Sequence, residues 1–232
     1  MNITKYIPNT ITSLSLVCGC ISCVMALDGY ILYATLWIIA AAILDFFDGF
    51  AARLFHAFSP IGKDLDSLAD MVGFGVAPGM ILFCLLSQAA PSLPLGTLNI
   101  YVPFLAFVIP VFSALRLAKF NIDTRQSTSF IGLPVPAHAL FLASAAYSVQ
   151  PVIQNSPQLF VVIAIVVFCT TSFLLVSEIP MFSLKIKSLG WKGNELRYIL
   201  IACSAGFILA FGLLGLAGSI LLYIILSIFN KK

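Results

Sequence analysis

The chain has 232 residues, of which 61% are hydrophobic and 9% charged, with a mean hydropathy of +1.08 and a net charge of +3. Soluble domains carry about 25% charged residues, and so little charge could not cover so much apolar surface in water. The composition therefore excludes a soluble domain, a disordered chain, a disulfide-stapled secreted domain and a nucleic-acid-binding protein. It predicts an all-α polytopic membrane protein.

Seven apolar stretches mark the predicted spans, and the last is longer than the roughly 20 residues that one crossing needs. Three glycines, beginning at Gly212, interrupt that stretch and indicate a hairpin of two short helices. We expect one domain over the whole chain (1–232), with a core at 1–190, a C-terminal hairpin at 196–230 and about eight transmembrane helices. In chain order the stretches lie at 11–27, 31–50, 67–87, 98–115, 134–150, 158–176 and 198–229.

The basic residues orient these spans. With a hairpin at the end, all 12 Lys and Arg residues fall on the side of the N-terminus. A single last crossing would instead place Lys231 and Lys232 on the opposite side. Because an excess of Lys and Arg marks cytoplasmic loops, the pattern predicts that both termini lie in the cytoplasm.

Aspartates cluster where the second and third apolar stretches meet. Asp45 and Asp48 are three residues apart, and Asp66 and Asp70 are four apart, so each pair shares one face of its helix. The segment between the pairs is short. We therefore expect the four carboxylates to converge at the cytoplasmic membrane boundary.

Two interpretations of this cluster are open. Charged groups at membrane depth are costly and face a partner or a water-filled cavity. An all-oxygen set without His or Cys suits Mg²⁺, Mn²⁺ or Ca²⁺, and such ions keep part of their shell for phosphate oxygens. The alternative is a salt-bridge network in which Arg53, Lys63 and Arg116 neutralise the aspartates. We favour the metal site, and with it phosphate-ester chemistry.

Residues 45–70 read DFFDGFAARLFHAFSPIGKDLDSLAD. This string resembles the signature of the CDP-alcohol phosphotransferase family, D-x2-D-G-x2-A-R-x8-G-x3-D-x3-D, at every fixed position. The resemblance implies a membrane enzyme with a six-helix core that displaces CMP from a CDP-linked lipid or alcohol. It also implies a divalent metal cofactor, Mg²⁺ or Mn²⁺ and two ions, and a homodimer.

The same resemblance implies roles for single residues. Asp45, Asp48 and Asp66 would bind metal, and Asp70 would be a further ligand or the base that deprotonates the incoming hydroxyl. The residues expected to bind the CDP-linked lipid are Asn9, Thr12, Gly49, Ala52, Arg53 and Gly62. For the Asn9 segment a simpler interpretation is also open, in which Asn9 or Thr10 caps the first helix.

Segments 66–78, 114–121 and 130–137 resemble the bacterial and archaeal phosphatidylserine synthase branch of the family. That resemblance implies CDP-diacylglycerol as donor, L-serine as acceptor and a location in the cell (inner) membrane, with the active site facing the cytoplasm. The residues expected to bind serine or phosphate are Arg116, Lys119 and Asn121. An alternative is that Arg116 and Lys119 bind the diphosphate of the lipid donor. Arg125 is expected to be a membrane anchor.

Two alternatives remain open from the sequence. Another member of the family would use a different acceptor, glycerol phosphate or inositol phosphate, and would need a phosphate-binding basic cluster. A transporter or cation channel would carry its aspartates near the bilayer midplane, often within internal repeats. The aspartates here lie at helix ends on the Lys- and Arg-rich side, which favours the enzyme.

Overall fold

The structure is a computed structural model that describes residues 6–123, 130–182, 190 and 194–229. The described chain is almost entirely helical, which confirms the predicted all-α polytopic membrane protein. Five helical stretches in these ranges are long and apolar enough to cross a membrane: Ile7–Leu27, Ile31–Leu54, Pro60–Ser92, Gly96–Ile122 and Pro157–Val176.

Some of these stretches combine more than one kind of helix. The third joins two α-helices through a π-helical turn at Met71–Val76, and the fourth opens with a 3-10 helix at Gly96–Phe107. A short 3-10 turn at Ala90–Ser92 ends the third. The α-helices are α1 (Ile7–Leu27), α2 (Ile31–Leu54), α3 (Pro60–Asp70), α4 (Ala77–Ala89), α5 (Val108–Ile122), α6 (Val135–Ser148), α7 (Gln150–Asn155), α8 (Pro157–Val176), α9 (Glu195–Phe211) and α10 (Leu213–Phe229).

Helix α3 begins at Pro60, earlier than the predicted apolar stretch at 67. The Ser59 side chain accepts a hydrogen bond from the backbone N–H of Gly62 at 3.1 Å, and a proline follows this cap directly. Both features favour a helix start. Asp66 and Asp70 therefore lie within the helix and do not open it.

The C-terminal segment forms two helices that pack against each other, as predicted. They meet at Gly212, whose φ of +58° is a conformation that favours glycine. Helices α6, α9 and α10 have 14, 17 and 17 residues, fewer than the roughly 20 of a full crossing. Eight crossings and the division at residue 190 therefore stay predictions.

A small strand pair, which the sequence did not predict, joins two helix ends. Strand β1 (Phe130–Ile131) pairs antiparallel with β2 (Pro180–Met181). Beyond it, the N–H of Gly132 donates to the Ile179 carbonyl at 2.9 Å. The pair holds the start of α6 against the end of α8.

Helix α1 packs against α2, α3 and the π-helical turn, and so brings together the helices that carry the aspartates. Its contact with the π-helical turn is backbone on backbone. A Cβ added to Gly19 would lie 2.8 Å from the Cα of Gly73. On the α2 side, the hydroxyl of Ser15 donates to the Ala41 carbonyl at 3.0 Å, and that of Ser22 to the Ala34 carbonyl at 2.8 Å.

We expect Gly19→Ala to destabilise the protein, because the new methyl group would push α1 away from the π-helical turn. Overpacking of this kind costs about 1–3 kcal/mol. The measurement is thermal unfolding of the purified protein in detergent. Gly206→Ala in α9 is the matched control, since its added Cβ meets no atom of another element within 4 Å among the described residues. Equal melting temperatures for the two variants would contradict this packing.

Candidate active site

The predicted convergence of aspartates from two helices is present in the structure. Asp45 and Asp48 on α2 and Asp66 on α3 each offer one carboxylate oxygen, and these three oxygens lie within 4.8 Å of one another. Asp48 is buried, and the other two are partly buried. The α1 packing described above holds the two helices at this separation.

The fourth predicted carboxylate, Asp70, lies beside this group. Its side chain interacts electrostatically with those of Asp45 and Asp66. Asp64, in the same helix, is exposed and is not one of the three clustered residues. The periodicity of α3 therefore separates Asp66 and Asp70, which face α2, from Asp64, which faces outward.

The three-aspartate group fits a divalent cation. Hard cations take oxygen ligands at about 2.0–2.6 Å, so oxygens on opposite sides of one ion lie roughly 4–5 Å apart. One oxygen of Asp48, Oδ2, is buried and has no hydrogen-bond partner among the described residues. An unpaired buried charge is costly, and a bound cation would remove that cost.

A cavity of about 560 Å³ opens beside the aspartates, between α1, α2 and α3. Two of the clustered aspartates, Asp48 and Asp66, face it. The structure also brings to this cavity all the residues predicted to bind the CDP-linked lipid, which are Asn9, Thr12, Gly49, Ala52, Arg53 and Gly62. The sequence prediction missed Phe58 and Ser59, which also line the cavity. Both lie at variable positions of the motif, so the motif gave no reason to select them.

The helix-cap interpretation of Asn9 and Thr10 is wrong. Helix α1 begins at Ile7, so both residues lie in its first turns, and the Thr10 hydroxyl donates back to the Tyr6 carbonyl at 3.0 Å. The Asn9 side chain is instead directed toward α3. A Cβ on Gly62 would lie 2.9 Å from the Asn9 side-chain oxygen.

The two pocket glycines have different surroundings. A Cβ added at Gly62 would lie 2.9 Å from the Asn9 side-chain oxygen and 3.0 Å from the Ser59 hydroxyl oxygen, so the ends of these two side chains would have to move. At Gly49 the nearest atom to an added Cβ is a guanidinium nitrogen of Arg53, 4.0 Å away. The protein itself would accept a larger residue there, so the space beside Gly49 belongs to the cavity.

Of the residues predicted to bind the acceptor, Arg116 is the buried one. It is only 6% exposed on α5 and interacts electrostatically with Asp70. Its guanidinium carbon lies 4.5 Å from the centre of the Phe120 ring. Its Nε has no hydrogen-bond partner among the described residues.

The other two predicted acceptor residues make contacts that join helices. Lys119 forms an ion pair with Glu178, just beyond the end of α8. The side-chain amide of Asn121 donates to the Ser67 hydroxyl at 2.8 Å, and Lys63 donates to the Asn121 carbonyl at 3.0 Å. A binding role for Lys119 and Asn121 stays a prediction, and Arg125 lies outside the described residues.

Comparison with known proteins agrees with this geometry. Residues 5–177 match the CDP-alcohol phosphatidyltransferase family. The match covers well over half of the chain and includes every aspartate of the cluster. The chain belongs to this family, whose members are membrane transferases that use divalent metals.

Three individual relatives are similar to this chain over much of its length. The chain is 36% identical over 175 residues to CDP-diacylglycerol–serine O-phosphatidyltransferase of Bacillus subtilis (strain 168), covering 75% of this chain and 89% of the relative. It is 36% identical over 137 residues to the protein of the same name from Helicobacter pylori (strain J99), covering 58% of this chain and 54% of that relative. Archaetidylserine synthase of Methanothermobacter thermautotrophicus is 31% identical over 149 residues, covering 61% of this chain and 59% of that relative.

We expect Asp48→Asn to weaken Mn²⁺ binding at least tenfold, because it removes a charged oxygen ligand from the group. The measurement is titration of the purified protein with Mn²⁺, followed by electron paramagnetic resonance of the free ion. Asp64→Asn changes the same residue type outside the cluster and should leave the affinity unchanged. Equal losses in the two variants would indicate general electrostatic attraction and no defined site.

Proposed function

We propose that this protein transfers the phosphatidyl group of CDP-diacylglycerol to the hydroxyl of L-serine, giving phosphatidylserine and CMP. The observation that carries the proposal is the three-aspartate group at the wall of a cavity lined by all the predicted donor-binding residues. The names of the relatives support CDP-diacylglycerol as donor and serine as acceptor.

The donor would bind in the cavity between α1, α2 and α3. Gly49 and Gly62 leave room there for the cytidine, and Asn9 and Thr12 offer polar side chains from α1. Arg53 and Lys63 line the same cavity, and their cationic groups suit the diphosphate.

Asp45, Asp48 and Asp66 would hold the metal cofactor, which we propose to be Mg²⁺ or Mn²⁺ and to comprise two ions. When bound, such ions neutralise a diphosphate and the charge that develops on the leaving phosphate. Asp48 and Asp66 line the cavity from two helices, so ions held there would place the diphosphate beside them.

The acceptor hydroxyl is a weak nucleophile near neutral pH and needs a base within hydrogen-bonding reach. Asp70 would accept its proton as the new O–P bond forms and the bond from phosphorus to CMP breaks. Arg116 interacts electrostatically with Asp70. Its guanidinium can pair with the serine carboxylate through two N–H groups, which would orient the hydroxyl toward Asp70.

A phosphorylated acceptor, glycerol phosphate or inositol phosphate, is the second candidate. Recognition of a phosphate dianion would favour several converging cations. Of the two basic residues predicted near the acceptor, Lys119 is paired with Glu178. One buried guanidinium suits the single carboxylate of serine better than a phosphate.

The membrane orientation is also part of the proposal. Arg53 and Lys119 lie near the ends of α2 and α5, and Lys63 and Arg197 lie near the starts of α3 and α9. With spans that cross in alternating directions, all four would lie on the side of the aspartate cluster. Because such an excess marks the cytoplasmic side, we propose an active site and both termini facing the cytoplasm of a bacterial or archaeal cell. A homodimer is proposed from the family resemblance alone.

The test measures CMP release from CDP-diacylglycerol in mixed micelles with Mn²⁺ or Mg²⁺. The acceptors compared are L-serine, glycerol 3-phosphate and inositol phosphate. We expect release with L-serine alone. Asp70→Asn should lower the rate about 100-fold or more, because the base is removed, and Asp64→Asn should be as active as the wild type.

Two results would contradict the proposal. Release only with a phosphorylated acceptor would retain the family and discard serine. Full activity of Asp70→Asn would exclude Asp70 as the base.

A further inference from the structure

Helix α3 carries apolar side chains on the side that faces away from the aspartate cluster. Ile61, Leu65 and Leu68 are spaced four and three residues apart, so they share one face of the helix, here called the outer face. Ile61 and Leu68 are 70% and 63% exposed. Because a contiguous exposed apolar surface marks a contact with a membrane or a partner, and an amphipathic helix at a membrane boundary buries its apolar face among the lipids, we expect the outer face to meet the bilayer.

Phe58 joins this outer face to the donor cavity. It lies two residues before the first residue of α3, and it is 71% exposed. The same side chain lines the cavity that Asp48 and Asp66 also line, as does the exposed Pro60 at the start of the helix. A residue that is largely exposed and also lines a cavity lies at its mouth. The mouth therefore has an apolar side at the start of α3.

Hydrogen bonds on both sides of Phe58 fix the backbone there. At the end of α2, the N–H of Ala57 donates to the Ala52 carbonyl at 3.0 Å, and His56 has a φ of +51°. This pattern closes the C-terminus of a helix. On the other side, the Ser59 side chain caps α3. Phe58 is the residue between these two hydrogen-bonded positions, so the loop holds it between α2 and α3.

A lipid donor makes two opposite demands on its site. Its diphosphate requires cations, which Arg53, Lys63 and bound metal would supply inside the cavity. Its acyl chains must stay out of water, because exposing hydrocarbon is costly. The surface changes from charged to apolar at Phe58, where the cavity meets the outer face of α3. A soluble CDP-linked alcohol would have no use for such an apolar exit.

We infer that the diacylglycerol part of the donor leaves the cavity over Phe58 and lies along the outer face of α3. The Phe58 ring contacts the acyl chains and favours a lipid-linked donor over a soluble one. This inference rests on the proposed function. It assigns a binding role to a residue at a variable position of the family motif.

The test compares the KM for CDP-dioleoylglycerol with the Ki of CDP-glycerol as a competitive inhibitor, which has the same head group and no acyl chains. Both are measured in mixed micelles of fixed composition. We expect Phe58→Ala to raise the KM for CDP-dioleoylglycerol about tenfold, because an apolar contact with the chains is lost. The Ki of CDP-glycerol, the KM for L-serine and kcat should stay within about twofold.

Two further variants serve as controls. Phe58→Leu keeps an apolar side chain at the mouth, so the KM for CDP-dioleoylglycerol should stay within about threefold of the wild type. Phe211 at the end of α9 is 62% exposed and does not line the cavity. Phe211→Ala removes a similarly exposed ring elsewhere and should behave as the wild type.

Three results would overturn the inference. An unchanged KM for CDP-dioleoylglycerol in Phe58→Ala would mean that the outer face meets bilayer lipid only. An equal rise in the Ki of CDP-glycerol would place the effect on the head group, and an equal rise in Phe211→Ala would indicate a general effect on the membrane contact.

Failure of the proposed function would look different. A wild type that uses only a phosphorylated acceptor would discard serine, and the donor comparison would then be made with that acceptor. A wild type that releases no CMP from CDP-diacylglycerol with any acceptor would overturn the proposed function and this inference together.

Discussion

The structure depends on placing aspartates from two helices close together at the edge of a membrane. Mutual repulsion and the loss of water both oppose this arrangement. In the described residues, Asp45, Asp48 and Asp66 converge within 4.8 Å, and one buried oxygen of Asp48 has no protein partner. A bound cation would offset both costs, and three convergent carboxylate oxygens suit a divalent ion.

Close backbone packing keeps the aspartates in place. Helix α1 approaches the π-helical turn at Gly19 and Gly73, and approaches α3 where Asn9 meets Gly62. With the hydrogen bonds from Ser15 and Ser22 to α2, these contacts place α1 against both aspartate-bearing helices and leave the donor cavity between the three. The small residues that permit the packing therefore also shape the binding site, which links the stability of the bundle to its chemistry.

The aspartate cluster could be predicted because it lies within one helix–loop–helix segment, where sequence spacing fixes which residues share a face. The residues that line the cavity were predicted from the family resemblance. Features that depend on contacts between residues far apart in the sequence could not be predicted. The earlier start of α3 depends on the Ser59 cap, and the ion pair of Lys119 with Glu178 needs the end of α8 nearby. No sequence pattern predicts that the Tyr223 hydroxyl donates to the Phe182 carbonyl, because only the folding of the C-terminal hairpin onto the core brings them together.

The most direct test of the account is the location of the metal. Crystals of the protein grown in a lipid phase with Mn²⁺ and CDP-diacylglycerol would be measured at the manganese absorption edge. The account predicts anomalous density between the carboxylates of Asp45, Asp48 and Asp66, beside the diphosphate. Density elsewhere, or a bound donor with no metal near these aspartates, would contradict the central claim that the convergent carboxylates form the metal site.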